Sequence, residues 1–170
     1  MNRPETSEYD AYYERYVSRV ADEDIIPVLE SQPAELRSMF SNVGDDRGNY
    51  KYADDKWTLK EVLSHLIDGE RMFAYRVLRI SRGDETPIEG FEQDGYIENS
   101  NANNRPFAEL LEEFDLQRRS NVLLIKNLSE EATKRLGMAS GLEVSVRGLI
   151  YIMGGHVRHH FAILKDLYSI

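Results

Sequence analysis

The sequence predicts an all-α protein carried on four long helices. Three observations lead there. Four stretches repeat apolar residues at helical spacing, helix-start signals stand near their heads, and no alternating strand pattern of useful length appears. A chain of 170 residues suits one domain with a proper core, spanning residues 1–170, and is too short to expect two. Hydrophobic residues make up 41% and charged residues 30%, the profile of a globular rather than a disordered chain. There are no internal repeats and no low-complexity segments.

Residues 7–20 read as a short helix, with Tyr9, Tyr13, Tyr16, Val17 and Val20 at helical spacing. Asp24 is a fair N-cap for the first long helix, and Pro27 is tolerated in its first turn. The stripe then runs through Val28, Leu29, Leu36, Met39 and Phe40 to about Val43, with a kink expected at Pro33. The second long helix starts more sharply. Thr58 and Glu61 form a capping box, and Trp57 and Val62 stand where a hydrophobic staple would close. Leu59, Leu63, Leu66, Phe73 and Val77 carry its buried face to about Ser81. Glu70 falls in the middle of that face, and Asp68 falls off it into solvent. His65 lies at its edge, on a row with Gly69 and Met72.

Residues 82–105 show no convincing periodicity, and a connection that long is functional or crosses a bundle. It contains FEQDGY, where Asp94 and Tyr96 are the candidate catalytic residues. The cluster reads equally as a loop anchored by two aromatics or as a lid over a site. Pro106 suits the first turn of the third long helix. Its stripe is Phe107, Leu110, Leu111, Phe114, Asn121, Ile125 and Leu128, with Arg118 in the middle. Ser129 caps a short helical segment, and Gly137 to Gly141 make a break.

The fourth long helix, capped by Ser145 and running to Tyr168, organises the rest. With residues placed about 100° apart around the axis, Val146, Leu149, Met153, Val157, Leu164 and Leu167 share one stripe. His156 and His160 lie inside it, one turn apart, whereas His159 falls outside. Unpaired polar groups are costly on a buried face. Neighbouring polar groups could satisfy the two imidazoles, but an i, i+4 pair on the stripe favours a shared metal ion. His65, at the edge of the second helix, suits a third ligand. Three imidazoles leave a coordination position open, as catalytic sites do, and imidazole suits zinc, nickel, iron or manganese. Glu70 could be a general base, a fourth ligand or the partner of Arg118; the ion pair is favoured because isolated buried charge is so expensive. Gly154 and Gly155 weaken the helix by about 1 kcal/mol each relative to alanine. Close approach of another element beside the site and plain packing are the two readings of that pair.

Composition removes several function classes. Formal net charge is −9 with no basic block, so nucleic acid is not an expected partner. There is no cysteine, which excludes disulfides, thiolate zinc sites and a cysteine nucleophile, so any metal must be held by His and carboxylate. MNRPETSEYD has no apolar core, so no signal peptide is expected there. No apolar run approaches the roughly 20 residues that span a bilayer. The expectation is a cytoplasmic enzyme or binding module without a membrane partner.

WTLKEVLSHLIDGERMFAYR, FEQDGY and GGHVRHHFAILKDLY together resemble the DinB-like superfamily, over essentially the whole chain. They resemble most the branch of metal-dependent hydrolases that includes bacillithiol transferases. The resemblance implies a four-helix bundle with a long crossover between the second and third helices. It also implies a three-histidine metal site whose ligands, by motif, are His65, His156 and His160. Zinc or nickel is the metal it favours, a small molecule the substrate, and a low-molecular-weight thiol such as bacillithiol or mycothiol a partner. Homodimers are common in the superfamily. Three readings stay open: a metal-dependent transferase or hydrolase, a binding module without turnover, and a bundle whose histidines merely pack.

Overall fold

In the computed structural model, which describes residues 1–20 and 23–170, four long helices carry the chain. They are α1 (Ile25–Met39), α2 (Leu59–Ser81), α3 (Phe107–Lys126) and α4 (Val146–Tyr168). α1 packs on α3 and α4, and α2 packs on the same two, so α1 and α2 occupy one diagonal of a four-helix bundle. The chain between α2 and α3 is the long crossover.

The start signals act as their chemistry requires. Thr58 Oγ1 accepts from the Glu61 backbone N–H at 3.1 Å, and the Glu61 carboxylate accepts from the Thr58 N–H at 2.7 Å. Ser145 and Ser129 cap α4 and the short turn Glu130–Thr133 by their hydroxyls alone, accepting from the Gly148 and Ala132 N–H groups. Pro106 stands one position earlier than expected, at the N-cap of α3.

Several expectations need correction. Residues 7–20 are not one helix but a series of short turns, of which only Glu14–Val17 is α-helical. Their anchor is tertiary: Val17 and Val20 are buried, and the segment lies on α4. α1 ends at Met39 rather than Val43. Pro33 sits inside it and cannot donate to the Leu29 carbonyl, which accepts instead from Arg118 at 3.3 Å. The long connection contains a six-residue helix, Gln93–Glu98, and a 3₁₀ turn at Ala102–Asn104. Leu128 lies beyond α3, and Leu167 is exposed although Leu164 and Tyr168 of the same last turn are buried. Asp68 is only partly exposed.

A strand pair also exists where none is expected. β1 (Leu136–Ala139) and β2 (Leu142–Ser145) form an antiparallel hairpin, Leu136 opposite Ser145 and Ala139 opposite Leu142. Its two-residue turn, Ser140 and Gly141, has φ of 55° and 76°, the left-handed pair that a tight hairpin requires. Ile88 of the crossover joins it, donating to the Met138 carbonyl at 2.9 Å and accepting from Ser140 N–H at 2.8 Å.

The apolar core is divided by a polar layer. One cluster contains Ile25, Leu29, Val77, Val122 and Leu149; the other contains Leu36, Leu63, Phe114, Val157 and Leu164. Between them each long helix places a polar group at its middle. Arg118 makes a two-pronged pair with Glu70, Nε to Oε2 at 2.9 Å and Nη2 to Oε1 at 2.5 Å. Its Nη1 also donates to the side-chain oxygen of Gln32, and the Gln32 amide donates to the Gly154 carbonyl at 2.7 Å. Asn121 adds a third donor to Glu70. All four helices are thus tied through one buried guanidinium. The same level shows why α4 carries glycines. A methyl group at Gly155 would collide with the backbone carbonyl of Tyr16, and one at Gly154 would lie 2.8 Å from Ile25.

Two outcomes test this layer. Replacing Glu70 or Arg118 alone should destabilise by about 3–5 kcal/mol in urea unfolding, and replacing both by apolar residues should recover much of that loss. Gly155→Ala should also destabilise, by about 1–3 kcal/mol from overpacking. In an open helix the same change stabilises by about 1 kcal/mol, so the sign alone is diagnostic.

Candidate metal centre

Beside the polar layer, α2 and α4 bring three imidazoles together. The capping box fixes where α2 begins, and two turns later His65 points towards α4. Ser145 fixes where α4 begins, and one-turn spacing stacks His156 and His160. Their ring centroids lie 4.7 to 4.9 Å from one another. The Nε2 atoms of His65 and His156 are 3.0 Å apart, and the possible ligand atoms of all three residues lie within 4.8 Å of each other. Gly69 makes this packing possible: a methyl group there would sit 3.2 Å from His156 Cε1.

The surroundings keep the cluster neutral. All three residues are buried, at 5, 7 and 8% exposure for His65, His156 and His160. Burial, with His159 adding a smaller push, lowers His65 to about 4. Burial holds His156 well below the usual imidazole range, and His160, His65, His159 and the Arg118 charge press the same way. His160 is depressed by burial and by its imidazole neighbours. Neutral imidazoles offer lone pairs, and the donor set fits a divalent cation. Two nitrogen ligands at about 2.05 Å on a tetrahedral ion stand about 3.3 Å apart, close to the separation of the two Nε2 atoms. The buried Nδ1 of His160 has no protein partner. Among the described residues no carboxylate belongs to the cluster, and Glu70 is engaged with Arg118.

Two cavities reach the cluster from different sides. One of about 140 Å³ borders His65 and His156, and its wall includes Tyr13, Tyr16, Phe91 and Arg76. The other, about 290 Å³, borders His160 and is walled by Trp57, Lys56, Tyr168 and Asp94. Asp94 therefore shares a cavity with the cluster, although its side chain is exposed. Tyr96 does not. It is half exposed and lines a separate cavity of about 680 Å³ with Asp68, Arg71 and Arg105, which touches none of the three histidines. His159 stands on the flank against Tyr16, as the helical geometry requires.

Sequence reasoning missed four neighbours of the cluster. Trp57 packs on His65 at 4.8 Å between centroids, beyond its expected role as a staple. Tyr16 meets His156 edge-on at 5.5 Å. Arg76 extends the row His65–Gly69–Met72 by one more turn, a signal the sequence does carry. Ser140 reaches the site only through the hairpin, and nothing local announces it.

A four-helix bundle with three neutral imidazoles clustered in its core and reached from solvent has the donor set of a helical-bundle metalloprotein. The family model of the DinB superfamily matches residues 29–164, and the chain belongs to that superfamily. Its relatives include the protein named "Putative metal-dependent hydrolase YfiT" of Bacillus subtilis (strain 168), 25% identical over 89% of this chain and 86% of that one. A second, named "Putative metal-dependent hydrolase", comes from Geobacillus thermodenitrificans (strain NG80-2). It is 23% identical over 84% of this chain and 81% of its own length. Among solved structures, Bacillus subtilis YfiT, described as "a probable metal-dependent hydrolase with an unusual four-helix bundle topology", superposes with a TM-score of 0.78. The sequence identity is 21%, over 85% of this chain and 84% of that one, a match that establishes the fold.

The neutral cluster makes metal-free protein sensitive to acid. An unfolded histidine takes up its proton near pH 6.5, whereas folded His65 does so only near 4. Between those values the unfolded chain binds more protons, so stability is present above about pH 6.5 and is lost as pH falls. The loss from His65 alone is on the order of 3 kcal/mol. Urea midpoints of metal-free protein at pH 7, 6, 5 and 4.5 should fall in that order, and a flat profile would contradict the buried neutral imidazoles.

Proposed function

We propose that His65, His156 and His160 hold one divalent metal ion, zinc or nickel, and that the protein is a metal-dependent enzyme acting on a small molecule. The reaction is thiol transfer to an electrophile or hydrolysis. The observation that carries this reading is the meeting of three neutral nitrogen donors at one point reached from two cavities. When bound, the ion would acidify a water molecule or hold a thiolate, and polarise the group under attack. The protein's own residues do the remaining work. Burial and the Arg118 charge keep His156 unprotonated and ready to ligate. Trp57, Tyr16 and Phe73 wall the imidazoles and exclude bulk water. The exposed carboxylate of Asp94, in the cavity beside His160, is placed to take or return a proton. Two cavities suit a reaction with two reactants, and this favours transfer from a thiol alongside simple hydrolysis.

Purified protein should carry about one divalent ion per chain by elemental analysis, because three imidazoles form an open site. His156→Ala should largely empty it. His160→Ala should do the same, while His159→Ala should leave metal content nearly intact, since one residue turns the helix by about 100°. Equal losses from His159→Ala and His160→Ala would defeat the assignment. Metal-loaded protein should turn over small electrophiles or esters, tested with and without an added low-molecular-weight thiol. Full metal with no turnover in either arm would leave a binding module instead.

A further inference from the structure

The chain contains two deeply buried arginines, and only one has a carboxylate. Arg118 is matched by Glu70. Arg76, 4% exposed, has no acid within 4.0 Å among the described residues. Among the described residues its one side-chain acceptor is the hydroxyl of Ser140, 2.7 Å from Nη2, and its buried Nε has no partner. A guanidinium stays charged at any physiological pH and carries five donors in a planar fork. Burying such a group without a carboxylate partner is costly, so its position calls for an anion.

Its location says which kind. Arg76 lines the 140 Å³ cavity that also borders His65 and His156. His65, Gly69, Met72 and Arg76 follow one another at three- and four-residue spacing along one face of α2, so the cavity is a trough between guanidinium and imidazoles. Tyr13, Tyr16 and Phe91 supply flat apolar walls. Ser140 is delivered by the left-handed turn of the hairpin, itself pinned to the crossover at Ile88.

We propose that Arg76 is a substrate-recognition residue. It binds the carboxylate of a small organic acid, whose other end then lies against the three histidines. That second clause rests on the histidine cluster being the reaction site; the anion-binding clause does not. A carboxylate matches the guanidinium fork with two parallel hydrogen bonds, and the aromatic walls accept the short apolar chain behind it. Inorganic phosphate offers the same charge without that chain.

The test is calorimetric titration of the full-length protein, both metal-free and zinc-loaded, with butyrate, uncharged butyramide and inorganic phosphate. Butyrate should bind metal-free wild type at least tenfold more tightly than butyramide, and more tightly than phosphate. Arg76→Met should lose at least tenfold in butyrate affinity while its melting temperature holds or rises, because an unpaired buried charge has been replaced by an apolar chain. Arg76→Lys should keep a weakened preference for acid over amide. Equal binding of butyrate and butyramide, no butyrate binding to metal-free wild type, or undiminished binding by Arg76→Met would each overturn the proposal. Tighter binding of phosphate than butyrate would assign the site to phosphate esters and overturn the carboxylate. If Arg76→Met does not fold, the wild-type acid–amide comparison and Arg76→Lys still decide. Acid-selective binding without metal would stand even if the cluster proved metal-free. Loss of that selectivity with intact metal loading would overturn Arg76 alone.

Discussion

The buried charge of Arg118 is the constraint on which the rest of the structure depends. A guanidinium at the centre of a bundle must have its donors satisfied, and here they are taken by Glu70, Gln32 and the Leu29 carbonyl. The acceptors come from two helices, Glu70 from α2 and both Gln32 and Leu29 from α1. Glu70 requires α2 to pass at one rotation and height. Gln32 requires α1 to present a particular face, and Leu29 is free to accept only because Pro33 has no N–H to give it. Gln32 then reaches the Gly154 carbonyl of α4. Apolar contacts alone would let four such helices slide by a turn with modest loss. A two-pronged buried pair does not, because a shifted register strands a charge in the core.

That registration is what places the histidines. Glu70 and His65 are five residues apart on α2, and Gly154 is two residues before His156 on α4. Fixing Glu70 on the guanidinium directly, and Gly154 to it through Gln32, therefore fixes the two sides of the imidazole cluster. The same charge also acts through space, since Arg118 helps to hold His156 unprotonated. Structural tie and candidate site are neighbouring parts of one polar layer between two apolar clusters.

How much of this was legible in the sequence follows from the range of each signal. Helix starts are local, and Thr58, Ser129 and Ser145 act as read. The histidine spacing and the mid-stripe positions of Glu70 and Arg118 are properties of single helices, so they too were readable. What failed was non-local. The tyrosine-rich start has helical spacing, but it breaks into short turns where it lies over Gly155 of α4. The hairpin is four residues a side and gains its third partner, Ile88, from about fifty residues upstream, beyond any local pattern. Leu167 obeys the stripe yet is exposed while Tyr168 beside it is buried, because periodicity gives a direction but not which side a neighbour covers. Asp94 and Tyr96 sit two residues apart, and the short crossover helix sends them to different cavities.

Among the described residues, four buried side-chain nitrogens have no protein partner: Arg76 Nε on α2, and Arg158 Nε, His159 Nδ1 and His160 Nδ1 on α4. Elsewhere the chain matches its buried charge thoroughly: Glu70 has three donors, and Arg147 of α4 holds Glu8 down to about 2 against the opposing effect of burial. A sequence that satisfies Arg118 so fully could have placed an acid opposite Arg76. The unmatched fork of Arg76, which borders the same cavity as His65 and His156, is therefore not loose packing. It is stability withheld at the place where a cation and an anion, arriving with the reactants, would complete the set.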